Sequence, residues 1–262
     1  MRALSLLYHD VIADGDWEAS GFHGRAAASY KLDRREFARH VTVISAAAAR
    51  RDIVHRLQKD DGGGSAPVLL TFDDGGASAY DCVADLLERS SWRGHFLITT
   101  DYLGQSGFVT RSQVRELAGR GHVVGSHSCS HLTRMSARPT AQLVDEWKRS
   151  TGELADALGQ SVTVASVPFG AFSRRVAAAA AAAGITALFT SEPTAQCRWV
   201  EGCLVLGRYT VRRDTAAAVA GALAAGALGP RLRQWWLWNL KKTAKAALGD
   251  VYLAARHAVY ER

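Results

Sequence analysis

From residue 3 to residue 211, short apolar runs with strand character alternate with helical patterns, and that alternation leaves few architectures open. The runs are "ALSLLYHDV", "PVLLTFDDG", "GHFLITT", "HVVGSHS", "TVASVPFG", "ITALFT" and "CLVLGRYTV". Between them stand "SAYDCVADLLERSS", "SQVRELAGRG", "TAQLVDEWKRSTGELADALG" and "SRRVAAAAAAAG", all with helical periodicity. Strands separated by helices predict a parallel sheet with crossover helices. About seven such units suit an α/β barrel, closed or incomplete.

Local signals support this reading. Ser112 to Gly121 and Ser173 to Gly184 each run from a start residue to a closing glycine. The alanines at 177–183 predict a helix packed closely on the sheet, since alanine has the best helix propensity. "KDDGGGSAP" at 59–67 is a flexible connection before the second strand. Residues 10–36 lack periodicity and predict a long loop after the first strand, at the end of the sheet where barrel enzymes keep their chemistry. The predicted organisation is a barrel over 1–228 and a basic, Trp-rich helical tail over 229–262.

A hydrophobic fraction of 48% and a charged fraction of 22% exclude extensive disorder. The formal charge of +7 suits either an acidic partner or a solvated basic surface. Cys82, Cys129, Cys197 and Cys203 are scattered without CxxC pairs and are expected to be reduced thiols. "MRALSLLYHDV" reads as a first strand, since its apolar run ends without a cleavage signal. No apolar stretch reaches the roughly 18 to 20 residues that span a bilayer. A cytoplasmic protein, soluble or peripheral on the inner membrane face, is the expectation.

Two features carry chemistry. The second strand ends on adjacent carboxylates, Asp73 and Asp74, followed by Gly75 and Gly76. Taken alone this is a common turn or a site. "GSHSCSHLT" sets His127 and His131 four apart behind a strand, a spacing that aims two imidazoles at one point if the segment turns helical. Taken alone this is ordinary surface or core structure. Both features fall at the ends of neighbouring strands, which favours a shared site.

"TFDDG" followed some fifty residues later by "SHSCSH" resembles the NodB-homology polysaccharide deacetylases, and the intervening text is similar to that family over roughly residues 3–215. The resemblance implies a distorted (β/α)7 barrel, a divalent metal on Asp74, His127 and His131, and Asp73 as catalytic base. Two imidazoles and one carboxylate leave positions open on a divalent ion, as a hydrolytic site needs. Zinc is the default ion, and cobalt, nickel or iron would suit the same donors. Gly75 and Gly76 would let a tight turn bring both carboxylates to one side.

Two departures qualify the resemblance. The family's usual late-strand histidine is missing, since the C-terminal half holds only His257. "LSLLYHDV" resembles the circularly permuted poly-N-acetylglucosamine deacetylase subgroup, which makes His9 the candidate general acid, with His23 a weaker one. The third motif is "SVPFG", with Ser166 where the family carries an arginine that orients the base. Arg208 could replace that arginine; otherwise it is a substrate-contacting or solvated cation. The backbone N–H of Phe169 is the candidate oxyanion donor.

The tail gathers Trp235, Trp236 and Trp238 with Arg231, Arg233, Lys241, Lys242 and Lys245. This composition suits an anionic membrane surface or a helix packing its Trp and Leu face on the barrel. No nucleic-acid recognition motif is present. The sequence thus points to a metal-dependent deacetylase of an N-acetylated amino sugar in a polysaccharide or lipid-linked glycan. The alternatives are a non-catalytic carbohydrate- or membrane-binding protein on the same fold, and a deformylase of a lipid-linked amino sugar.

Overall fold

The computed structural model describes residues 1–13, 15–58 and 64–243. A nine-stranded sheet is built from β1 (Leu4–Tyr8), β4 (Val68–Phe72), β5 (Gly94–Ile98), β6 (Val123–Ser126), β7 (Val164–Ser166), β8 (Ala187–Phe189), β9 (Arg198–Val200), β10 (Cys203–Leu206) and β11 (Tyr209–Thr210). The short β2 (Val11–Ile12) and β3 (Leu32–Asp33) pair separately, within the segment expected to be irregular. The large sheet runs β11-β1-β4-β5-β6-β7-β8-β10-β9, and only β9 is antiparallel to its neighbour. Seven central parallel strands in an unclosed sheet fit the incomplete barrel that the alternation predicted and the distorted (β/α)7 barrel that the resemblance implied.

Every residue of β1, β4, β5, β6, β7, β8 and β10 is buried, because helices cover the sheet's outer face. These helices include α2 (Arg34–Ala47), α5 (Arg111–Gly119), α6 (Thr140–Leu158), α7 (Arg174–Ala182) and α8 (Ala217–Ala224), with shorter α1 (Arg25–Ala28), α3 (Val54–Leu57) and α4 (Ala84–Arg89) between them. The alanine run forms α7, which buries Val176, Ala177, Ala179 and Ala180, and methyl-sized side chains let the helix lie close to the sheet. α5 is capped by Thr110, two residues before the expected start residue Ser112. Thr110 and Gln113 form a reciprocal capping box there, satisfying two N-terminal donors at once.

One expected strand is two. "CLVLGRYTV" breaks between β10 and β11, where the Arg208 N–H bonds the Glu192 carbonyl (2.9 Å) instead of a neighbouring strand. A second helix, 228–243, follows α8, and Lys245 and His257 lie outside the described residues. All four cysteines are free thiols. Among the described residues no helix is long and apolar enough to cross a membrane.

The core holds a histidine whose geometry fixes its charge. His95, on β5, is fully buried; its Nε2 accepts the Val54 N–H (3.0 Å), so Nδ1 must carry the proton donated to the Leu70 carbonyl (2.9 Å). Burial lowers its pKa to about 4 against the opposing effect of the Leu70 hydrogen bond. The unfolded chain, with a histidine near 6.5, binds more protons between these values, so stability falls as pH drops from about 6.5 to 4. The expected loss from this residue is roughly 3 kcal/mol. Urea unfolding of the native chain and of His95→Gln across that window should give a shallower pH dependence in the variant.

Candidate active site

The residues singled out in the sequence converge at the C-terminal ends of the parallel strands. Asp73 and Asp74 follow β4, His127 follows β6, Ser166 ends β7, His9 follows β1 and Arg208 follows β10. Successive strand residues point to opposite faces, so the pleat alone would separate the two aspartates. Asp74 itself turns the chain: its φ of 76° is left-handed, a conformation aspartate tolerates, and Gly75 continues it at 84°. Gly76 serves another purpose. A Cβ there would lie 1.9 Å from Asp10 Oδ1.

That contact belongs to a buried network the sequence did not reveal. Asp10 Oδ1 accepts from Ser20 Oγ (2.6 Å) and Ser78 Oγ (2.8 Å), and the Ser78 N–H donates to Ser20 Oγ (2.9 Å). The loop after β1 is thereby tied to the turn that carries the aspartates.

The His127–His131 segment is not helical, contrary to the condition placed on its spacing. It is a loop with left-handed residues at Ser128 (φ 65°) and His131 (φ 54°). Glu146 on α6 holds it, accepting from the Cys129 N–H (3.1 Å), the Ser130 N–H (3.0 Å) and Ser130 Oγ (2.7 Å). Glu146 lies on α6, fifteen residues past His131 and beyond an intervening loop, so it leaves no local signature and escaped the sequence reading.

Ligand atoms of Asp74, His127 and His131 lie within 4.8 Å of one another. Asp74 Oδ1 is buried with no hydrogen-bond partner, and both imidazole Nε2 atoms stand 3.4 Å from it. A buried carboxylate oxygen left unpaired among electron-pair donors is costly unless a cation sits between them. The donor set therefore fits a divalent metal. Burial, which alone would raise the Asp74 carboxyl, is outweighed by His131, His9 and His127, and the group lies below the usual carboxylate range.

Asp73 is held differently. Arg208 donates to both its oxygens, Nη1 to Oδ1 (2.6 Å) and Nη2 to Oδ2 (2.7 Å), and neither side chain reaches solvent. Arg208 is thus neither a solvated charge nor a surface cation open to substrate. It also donates to Thr71 Oγ1 (3.2 Å) and the Thr190 carbonyl (2.9 Å), which fixes its plane. Burial raises the Asp73 carboxyl, but Arg208 and His127 overcome this and lower it.

Ser166 occupies the space between Asp73 and His127. Its hydroxyl donates to Asp73 Oδ1 (3.0 Å) and so accepts from His127 Nδ1 (2.5 Å). A hydroxyl has one proton, so the Nδ1–H tautomer follows and Nε2 keeps its lone pair toward Asp74. Burial lowers the His127 pKa to about 4, leaving the ring neutral, as a metal ligand must be.

His9 is half-buried, its ring 4.7 Å from that of Tyr30, and its Nδ1 is buried without a partner. It stands close enough to Asp73 and Asp74 to lower both carboxyls. His23 is apart from the cluster, exposed and beside Glu18 (3.4 Å). Phe169 takes a left-handed φ of 55°, and its ring, 59% exposed, stands 4.6 Å from His131. Phe22 stacks on the same imidazole at 4.7 Å and rests against Tyr102 and Phe108. Phe22 came from the apparently featureless loop and had no signal.

Fold and site define an α/β barrel with an aspartate pair and two imidazoles gathered at its strand ends, a donor set suited to metal-assisted hydrolysis. Residues 60–188 match the polysaccharide deacetylase family model, and this segment, with both motifs, belongs to that family. The putative polysaccharide deacetylase YxkH of Bacillus subtilis (strain 168) is 27% identical over 155 residues, covering 59% of this chain and 55% of that protein. The chain spans about half the length of the curated relatives it matches. IcaB from Ammonifex degensii shares the fold with a TM-score of 0.69 at 21% identity, over 86% of this chain and 97% of IcaB. The Streptococcus pyogenes deacetylase PplD, solved with acetate, gives 0.67 at 16%, over 83% and 96%.

Proposed function

We propose that the chain is a metal-dependent deacetylase that hydrolyses the N-acetyl amide of an amino sugar in a polysaccharide or lipid-linked glycan. The observation that carries this is the unpaired, buried Asp74 Oδ1 facing two imidazoles, with an ionised Asp73 alongside. The family match and the acetate-bound PplD, which shares the fold, support the acyl-amide chemistry.

Asp74, His127 and His131 would hold the ion, zinc by default, with cobalt, nickel or iron suited to the same donors. Such an ion supplies Lewis-acid polarisation of the amide carbonyl and a lowered pKa for water. The remaining work falls to the chain. Asp73 takes the proton of the attacking water on Oδ2, which accepts only from Arg208 among the described residues and retains a second lone pair, whereas Oδ1 accepts from both Arg208 and Ser166. The Phe169 N–H donates to the carbonyl oxygen as it gains charge. His9 gives a proton to the nitrogen as the C–N bond breaks, releasing a free amine and acetate. Arg208 and Ser166 position the base, the work of the single arginine in typical relatives.

Elemental mass spectrometry of the purified chain should find about one divalent ion, lost in Asp74→Ala and in His127→Ala. The metal-loaded chain should release acetate from oligomers of N-acetylglucosamine. Metal binding with formate released from an N-formyl amino sugar, and no acetate, would instead select the deformylase. The non-catalytic reading drew on Ser166 and on the uncertain general acid, and the pairing of Arg208 with Asp73 weighs against the first of these. Absence of metal after supplementation with zinc, cobalt and nickel would sink the hydrolase.

A further inference from the structure

Helix 228–243 lies on the barrel by a narrow polar stripe. Arg231 Nε donates to Tyr209 Oη (2.8 Å), and Gln234 pairs with the Thr210 backbone in both directions (3.0 and 2.9 Å), closing the exposed edge of β11. The Trp238 indole lies against Gly170, where a Cβ would come within 3.0 Å of it, so the helix borders the Phe169 turn at the mouth of the candidate site.

The opposite face is apolar and exposed. At 100° per residue, Leu228, Leu232, Trp235, Trp236 and Leu240 fall on one side. Trp236 and Leu240 are 66% and 67% exposed, and the other three are exposed as well. Asn239 and Thr243 fall on the same side, but each donates to a backbone carbonyl of the helix itself, Asn239 to Trp235 and Thr243 to Asn239, and the large exposed side chains around them are apolar, which marks a docking site. Its borders specify the partner. Arg233 lies along one side and Lys242 along the other, both exposed, and 228–243 holds four basic residues and no acidic one. Across 229–262 the sequence has seven basic and two acidic residues, a net +5 of the chain's +7. A second copy would bring the same positive charge against this face.

We infer that helix 228–243 docks the protein on an anionic lipid surface, with its Trp and Leu face in the headgroup layer and its flanking cations on lipid phosphates. Tryptophan favours that depth, and an amphipathic helix with basic borders lies in the interface plane rather than crossing it. The orientation sets the mouth of the barrel beside the bilayer. Docking stands independently of the deacetylase reading, and its test measures no catalysis.

The full chain is sedimented with sucrose-loaded vesicles of equal phosphatidylglycerol and phosphatidylcholine, and with phosphatidylcholine alone. Binding at least about tenfold tighter to the anionic vesicles is expected, weakening with salt. Trp236→Gln/Leu240→Gln and Arg233→Gln/Lys242→Gln, all at exposed positions, should each weaken it by a similar factor while thermal melting stays unchanged. No binding to anionic vesicles, equal binding to neutral ones, or full binding by the apolar double variant overturns the inference. Concentration-dependent self-association without lipid that the apolar double variant abolishes would assign the face to a second copy and overturn it too.

Discussion

Asp73→Asn is expected to cut acetate release by about 10²- to 10⁴-fold, the usual contribution of a positioned general base. Asparagine keeps the shape of the side chain and can still accept one hydrogen bond from Arg208, but it cannot take a proton at neutral pH. Metal content should not change, because the candidate ligands are Asp74, His127 and His131. The informative comparison is therefore turnover against metal stoichiometry in the same preparation. An unchanged rate with full metal would remove Asp73 as base; loss of both would mean that the substitution had disturbed the neighbouring Asp74 turn.

Arg208→Met is expected to cost about 3 to 5 kcal/mol of stability, because it strands a buried carboxylate whose only cationic hydrogen-bond partner among the described residues is that guanidinium. The pH dependence should change sign at this site. With Arg208 present, the Asp73 carboxyl lies below its unfolded value, and the stabilisation is held above about pH 4 and lost as pH falls. Without it, burial dominates and raises the carboxyl, so the folded variant binds the proton more tightly and gains stability on acidification. Urea titrations of both proteins at pH 7 and pH 4.5 would show a deficit that narrows at the lower pH. A deficit that is small and constant would mean that water reaches Asp73 and compensates for the missing cation.

The main strands of the sheet and the four residues around the candidate metal were legible because each leaves a local trace. Apolar runs mark buried strands, and DDG and HxxxH are compact motifs. Arg208 was harder. Its pairing with Asp73 spans 135 residues and depends on the sheet placing β10 and β4 so that both strand ends reach one point, which periodicity cannot specify. Ser166 looked like a lost arginine, whereas its hydroxyl links Asp73 to His127. Glu146, Phe22 and the Asp10 network were illegible for one reason: each acts on a loop distant in sequence. The spacing of His127 and His131 led to the right convergence by the wrong local geometry, a helix turn instead of left-handed loop residues.

The separation of Asp73 from Arg208 has a consequence for biosynthesis. A ribosome adding about 5 to 20 residues per second needs on the order of ten seconds to travel between them. Throughout that interval the emerging chain contains the aspartate pair, and later both histidines, without the cation that offsets the burial of Asp73. Closing the strand ends over an uncompensated carboxylate is unfavourable, so the nascent barrel has reason to stay open around β4 until the last strands arrive. The site is thus among the final parts of the molecule to mature, and synthesis that stops short of residue 208 yields a chain with the motifs but without the cation that keeps the Asp73 carboxyl low.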